Sequence, residues 1–179
     1  MGTDVITLIT SDHRAIEALF ERLTSGRGDP EADLTELAAL LTAHARAEED
    51  RVYPEVRSAE AHHGVEEHKE AEVLLDALKH ATPGTPDFSE TLDKLVESVK
   101  HHVEEEESEI LPALREASSR QRLEQLGKAF KERKETELLA LRPPTSKEQL
   151  YKRAREADIP GRSTMDKDEL AEAVRKQSS

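Results

Sequence analysis

The chain has no cysteine and no tryptophan. Without cysteine there is no disulfide framework and no thiolate metal site, so any bound metal takes nitrogen and oxygen ligands. Aromatic residues are scarce, at 3% of the chain. Long hydrophobic runs are missing too. No stretch approaches the ~18–20 apolar residues of a membrane span, and the N-terminus lacks the basic-then-apolar pattern of a secretory signal. The expectation is a cytoplasmic protein without membrane association. Positive charge is also short: the net charge is −13 with histidines neutral. Nucleic-acid phosphates call for a basic surface, so the chain as a whole does not read as a nucleic-acid binder, and docking on anionic lipid is disfavoured. Also absent are a Ser/His/Asp set, a Gly-rich phosphate loop and the zinc-protease His-Glu-x-x-His motif.

What is present favours helix. Charged residues make up 36% of the chain and hydrophobic residues 35%. That balance suits amphipathic helices, each of which needs only a narrow apolar stripe. Ala, Leu, Glu, Lys and Arg dominate the mix. Four helices are expected, over about Asp4 to Leu23, Pro30 to Ser58, Gly64 to His80, and Asp87 or Ser89 (either able to cap) to Ala117. The turn at Gly26–Gly28 ends the first, and Asp29-Pro30 reads as a cap followed by a helix-initiating proline. Thr82-Pro83-Gly84-Thr85-Pro86 is a clear break. A fifth amphipathic helix covers about 119–141, with Leu123, Leu126 and Phe130 on one side. The adjacent Pro143 and Pro144 cannot continue it, so 142–146 reads as a linker. Two short helical patterns then flank Ile159-Pro160-Gly161 in a small module over 147–179. The expected architecture is all-α: an antiparallel up-down four-helix bundle over 1–118, an extra helix and a C-terminal helical module.

An internal repeat carries the strongest functional signal. His44, Glu48, Glu49, Val52, Pro54 and Arg57 recur as His102, Glu106, Glu107, Ile110, Pro112 and Arg115. Helical positions four apart lie nearly above one another, so each His/Glu pair points the same way. Both pairs continue core-facing seams: Leu34, Leu37, Leu41, His44, Glu48 on the second helix, and Leu92, Leu95, Val99, His102, Glu106 on the fourth. His13 interrupts the seam of the first helix (Ile6, Ile9, Ile16, Phe20, Leu23). His68 and Glu72 interrupt that of the third (Val65, Leu75, Leu78). These steps of three and four define the inward face of a bundle.

Burying an unpaired carboxylate costs several kcal/mol or more. A shared cation is the economical compensation for polar residues on four seams. Imidazole with carboxylate suits iron, manganese or zinc, whereas calcium would use oxygen alone. Two carboxylates able to bridge, with four histidines, suit a di-iron centre better than a single ion. Glu17 falls off its seam, as does His101. His62 and His63 sit in the approach to the third helix, and His80 lies at its C-terminal end, where a cation faces the helix dipole favourably. Glu49 and Glu107 read as solvated residues or as partners of the ligands. Tyr53, one turn beyond Glu48, reads as packing first.

His13 within Asp12-His13-Arg14, the His44/Glu48 pair with Pro54, His68, and the His102/Glu106 pair with Pro112 resemble the hemerythrin-like family, or HHE cation-binding domain, over about Asp4 to Ala117. The resemblance implies an oxo-bridged di-iron centre with His13, His44, His68 and His102 as terminal ligands and Glu48 and Glu106 as bridges. Oxygen-carrying members have a histidine where this chain has Glu72. A carboxylate there adds negative charge and favours the ferric state. That leans away from reversible oxygen carriage, toward redox or sensing chemistry with oxygen, peroxide or nitric oxide. The repeated His-x-x-x-Glu also differs from the Glu-x-x-His motifs of ferritin-like bundles.

The tail has its own resemblance. Leu150 to Ala154, Ile159 to Met165 and Lys167 to Leu170 are similar to the small helical module at the N-terminus of transcription terminator Rho, a module associated with nucleic-acid-related proteins. From Thr145 onward eight basic residues face seven acidic ones, so a docking or self-association role stands beside nucleic-acid binding. Three functions follow as expectations: a di-iron redox protein, an iron or oxygen sensor signalling through the tail, and a helical scaffold with incidental metal affinity.

Overall fold

In the computed structural model the described residues are 3–56, 59–141 and 147–177. Among them there is no strand, and four long helices form an antiparallel up-down bundle: α1 (Val5–Ser25), α2 (Pro30–Arg51), α3 (Ala59–His80) and α4 (Pro86–Glu105). Helices α1, α2 and α4 start for local reasons. The Asp4 carboxylate accepts from the Thr7 N–H at 2.9 Å, and Asp29 accepts from Glu31 and Ala32 ahead of Pro30. Gly26 closes α1 in the left-handed conformation, φ 64°, which glycine adopts without steric cost. Helix α4 is capped by Thr85, whose Oγ1 accepts from the Phe88 N–H at 3.3 Å, rather than by Asp87 or Ser89. Pro86 then takes the first helical position, where its missing N–H costs nothing.

The two repeat prolines have different outcomes. Helix α2 stops at Arg51 and gives way to a short 3-10 turn, Tyr53–Glu55, instead of running on to Ser58. Pro54 has no N–H for the carbonyl four residues back, and its ring clashes there. Residues 57 and 58 lie outside the described residues. On the fourth helix the backbone stays helical. A π turn, Glu106–Ile110, widens it before α5 (Leu111–Ala117), making room for Pro112.

Two apolar clusters fill the bundle. One gathers Ile16, Phe20, Leu37, Leu78, Leu92 and Leu95 among others. The second gathers Ile9, Ala47, Val52, Tyr53, Ile110 and Leu114 and is covered by α6 (Arg120–Leu141) through Leu123, Leu126 and Phe130. Gly127 lets α6 sit against the start of α1: a Cβ there would lie 2.3 Å from the Thr3 carbonyl oxygen. The helices pass between the two clusters through a layer of buried polar residues.

The chain divides into two compact units, Met1–Leu138 and Leu139–Ser179. The second contains α7 (Lys147–Glu156) and α8 (Lys167–Gln177), packed over Leu150, Ala154, Ile159, Leu170 and Val174. Asp166 accepts from the Asp168 and Glu169 N–H groups, and Glu169 accepts in return from the Asp166 N–H at 2.8 Å. This is a reciprocal cap. The 142–146 linker lies outside the described residues. Among the described residues, no helix is long and apolar enough to cross a membrane.

Candidate metal centre

Six of the seven expected site residues meet in the polar layer. His13, His44, Glu48 and Glu106 offer ligand atoms within 4.8 Å of one another, as do Glu48, His68 and His102. Glu48 belongs to both groups. His13, Glu48 and Glu106 are completely buried, and His44 and His102 nearly so. The distances are those of convergent ligands: His13 Nε2 to Glu106 Oε2 3.1 Å, His44 Nε2 to Glu48 Oε1 3.1 Å, and His68 Nε2 to Glu48 Oε2 3.4 Å.

Glu72 does not join either group. It is exposed, at the rim of a cavity of about 200 Å³. The inward line of α3 runs through half-buried His68 and Ala71 to buried Leu75 and Leu78, so the step from His68 is three, to Ala71, and Glu72 falls one position off the inward face. Glu17 pairs with Arg14, and His80 is exposed at the end of α3, its Nδ1 beside the Asp76 carbonyl.

Each of the four histidines has a carboxylate behind it. His13 Nδ1–H donates to Glu107 at 2.8 Å, His44 to Asp12 at 3.2 Å, His68 to Glu49 at 3.0 Å, and His102 to Glu67 at 2.7 Å. A proton on Nδ1 leaves the Nε2 lone pair free to point inward and fixes the ring's orientation. Three of these carboxylates are held in turn. Arg14 donates to both oxygens of Glu107 at 2.7 Å, Lys134 of α6 donates to Asp12, and Glu67 is itself largely buried. Asp12 and Glu67 are not among the partners expected from the sequence. Each adjoins a seam histidine but serves the histidine of another helix, a pairing that only the assembled bundle creates.

The fit to a cation rests on unsatisfied atoms. His13 Nε2, His44 Nε2, all four oxygens of Glu48 and Glu106, and Tyr53 Oη are buried without a hydrogen-bond partner. The 3.1 Å His–Glu contacts are close enough for ion pairing but are not aligned as hydrogen bonds, so they leave these lone pairs aimed at the space between them. Orphaned buried polar groups are rare and costly, and nitrogen and oxygen donors converging on one point are what a borderline transition ion requires.

Titration follows the same geometry. Burial pushes the His44 imidazole down, but the charge of Glu48 and the hydrogen bond to Asp12 outweigh it, raising His44 to about 10. His68 is likewise held to about 9, against burial, by Glu48 and Glu49. His13 is raised despite burial by Glu106 and Glu48. Burial alone would raise Glu48, yet His44 and His68 hold it well below the usual carboxylate range. Without a metal, imidazolium protons supply the positive charge these carboxylates need.

Tyr53 stacks on His68, centroids 5.7 Å apart and planes 13° from parallel. Burial and the charges of Glu48 and Glu106 push its hydroxyl far above its ordinary range, so it stays a neutral donor. On the other side Phe130 meets the His44 ring edge-on at 5.9 Å. Ile16, Leu75, Val99 and Val103 line the cavity beside the histidines.

The sequence matches the family described as Hemerythrin HHE cation binding domain over residues 4–114. A DNA nickase from Nostoc sp. is 33% identical over 131 residues, 69% of this chain and 37% of that protein. The chain thus spans little more than a third of that relative's length. A crystal structure of a hemerythrin HHE cation binding domain-containing protein from Mycobacterium kansasii superposes with a TM-score of 0.69, covering 96% of this chain and 99% of the other. At 19% identity the likeness concerns the fold.

Proposed function

Because this chain belongs to the hemerythrin HHE cation-binding family, we propose that its metal site is a non-haem di-iron centre directed at oxygen, peroxide or nitric oxide. His13, His44, His68 and His102 would be terminal ligands, with Glu48 and Glu106 between the two ions. The observation that carries this reading is the sharing of Glu48 between two ligand groups, the arrangement a pair of ions needs. Bound iron would supply one-electron chemistry and affinity for small oxygen or nitrogen ligands.

The chain's own residues set the rest. Glu107, Asp12, Glu49 and Glu67 orient the imidazoles and raise their basicity. Ile16, Leu75, Val99 and Val103 make one side of the cavity apolar and discourage bulk water. At about 200 Å³ the space suits a diatomic molecule or peroxide, and is below the roughly 300 Å³ of a typical organic-ligand site. The Tyr53 hydroxyl keeps its proton and is a donor without a partner. Glu72 at the rim adds negative charge at the entrance.

The test is spectroscopic. The chain is loaded with ferrous iron without air, then exposed separately to oxygen, peroxide and nitric oxide. Visible charge-transfer bands should change with at least one of them, and the change should be lost in Glu48→Ala protein that retains its helical circular dichroism. Spectra indifferent to all three would overturn the redox reading.

A second reading has one observation in its favour. The Nostoc relative is named a DNA nickase, and the 147–179 module resembles one associated with nucleic-acid-related proteins. On this reading the metal centre senses or reacts while the tail engages DNA or a protein. Incubation of supercoiled plasmid with iron-loaded chain tests its DNA-cleaving form: nicking that disappears in Glu48→Ala supports that form, and intact plasmid sinks it.

A further inference from the structure

We propose that His63, Glu67 and Glu105, with His101 beside them, form a second, surface site for a divalent first-row transition ion such as Zn²⁺. The site lies outside the buried layer, between α3 and α4. His63 and Glu67 are four apart on α3, and His101 and Glu105 are four apart on α4, so each pair projects in one direction. The two pairs face one another. His63, Glu67 and Glu105 offer atoms within 4.8 Å. His63 Nε2 is 3.7 Å from Glu67 Oε1 and 3.8 Å from Glu105 Oε2. His101 Nε2 approaches the same two carboxylates from the other helix, 3.4 Å from Glu105 Oε1 and 3.9 Å from Glu67 Oε1.

These separations exceed the roughly 2.7–3.2 Å of a good N–H···O hydrogen bond. They are nearer the spacing of neighbouring ligands around a metal ion. With zinc–nitrogen and zinc–oxygen bonds of about 2.0–2.2 Å, adjacent ligand atoms sit about 3.4 Å apart. Imidazole with carboxylates also gives a donor set suited to zinc rather than calcium.

The surroundings favour a cation. The groove beside the site carries Glu70, Asp93, Glu97 and Glu104 against Lys94 and Lys100, and carboxylate-lined clefts concentrate positive ions. The histidines are accessible, with side chains 54% and 62% exposed, so an ion reaches them without the bundle opening. Glu67 is the buried anchor at 10% side-chain exposure. Its Oε2 accepts from His102 Nδ1 at 2.7 Å, and its Oε1 faces outward. One carboxylate therefore orients an inner histidine and offers its other oxygen to the surface.

The full chain and a His63→Ala/His101→Ala double variant are dialysed against Zn²⁺ and their retained zinc is measured. Both substitutions are at exposed positions, and helical circular dichroism checks that the fold persists. The double variant should retain about one fewer zinc ion per chain, and the His63 and His101 imidazole NMR signals should shift in the unsubstituted protein as that equivalent binds. Equal zinc retention by the two chains would overturn the proposal, as would His63 and His101 signals that ignore zinc. Zinc held in the buried centre is common to both chains, so a failure of that centre leaves the difference between them intact.

Discussion

His68 and His102 face one another between α3 and α4 with their Nε2 atoms 3.1 Å apart. Each donates its Nδ1 proton to a carboxylate, Glu49 or Glu67. Two neutral imidazoles so arranged would oppose lone pair to lone pair. Only a shared positive charge, a proton or a metal ion, makes the contact favourable, and Glu48 Oε2 lies 3.4 Å from His68 Nε2 to complete the set.

The orienting carboxylates should therefore matter to metal binding. Removing such a partner typically costs about 10–100-fold in metal affinity. Glu49→Ala and Asp12→Ala should each weaken iron binding within that range, measured by competition with a chromophoric chelator. Glu36→Ala, on an outer face of α2, should leave affinity unchanged.

The metal-free protein should lose stability as pH rises. His44, His68 and His13 are raised above the ordinary imidazole value of 6.5, His44 to about 10 and His68 to about 9. A group whose folded pKa is raised stabilises the fold fully below its unfolded pKa, and that contribution disappears as pH climbs through the folded value. The melting temperature of chelator-stripped protein should fall between pH 6.5 and 10. Metal-loaded protein should fall less, because deprotonated imidazoles then hold the ion. Glu48, being depressed, contributes above its usual value and is lost only in stronger acid. A stripped protein that gained stability toward pH 10 would contradict this balance.

Gly127→Ala should destabilise the bundle where α6 meets α1. Its Cβ would meet the Thr3 carbonyl oxygen at 2.3 Å and the Val5 nitrogen at 3.0 Å. Backbone cannot yield as a side-chain tip can, so α6 must shift away from α1. Overpacking of this kind costs about 1–3 kcal/mol, readable in a urea melt of the metal-free chain.

Much of this was legible from residue order. The recurrence of His44/Glu48 as His102/Glu106 requires only helical periodicity, and the cap at Asp29 requires only local chemistry. Across-bundle relationships were less visible. Asp12 adjoins His13 but serves His44, and Glu67 adjoins His68 but serves His102. Local spacing cannot report which helix a side chain will meet. A signal did exist: all four orienting carboxylates, Asp12, Glu49, Glu67 and Glu107, directly adjoin a seam residue. Glu72 shows the opposite limit. Steps of three and four from His68 both look acceptable on paper, and packing selects Ala71. His63 and His101 lie off the seams, and their meeting depends on how α3 and α4 align.

The most direct test of the central claim is metal content. Protein reconstituted with ferrous iron under nitrogen and passed through a desalting column should retain about two iron ions per chain. His102→Ala and Glu48→Ala should each retain far less, and His80→Ala as much as the unsubstituted chain. Equal iron in all four proteins would contradict the account, because the buried imidazoles and carboxylates would then owe their burial to something other than a shared metal.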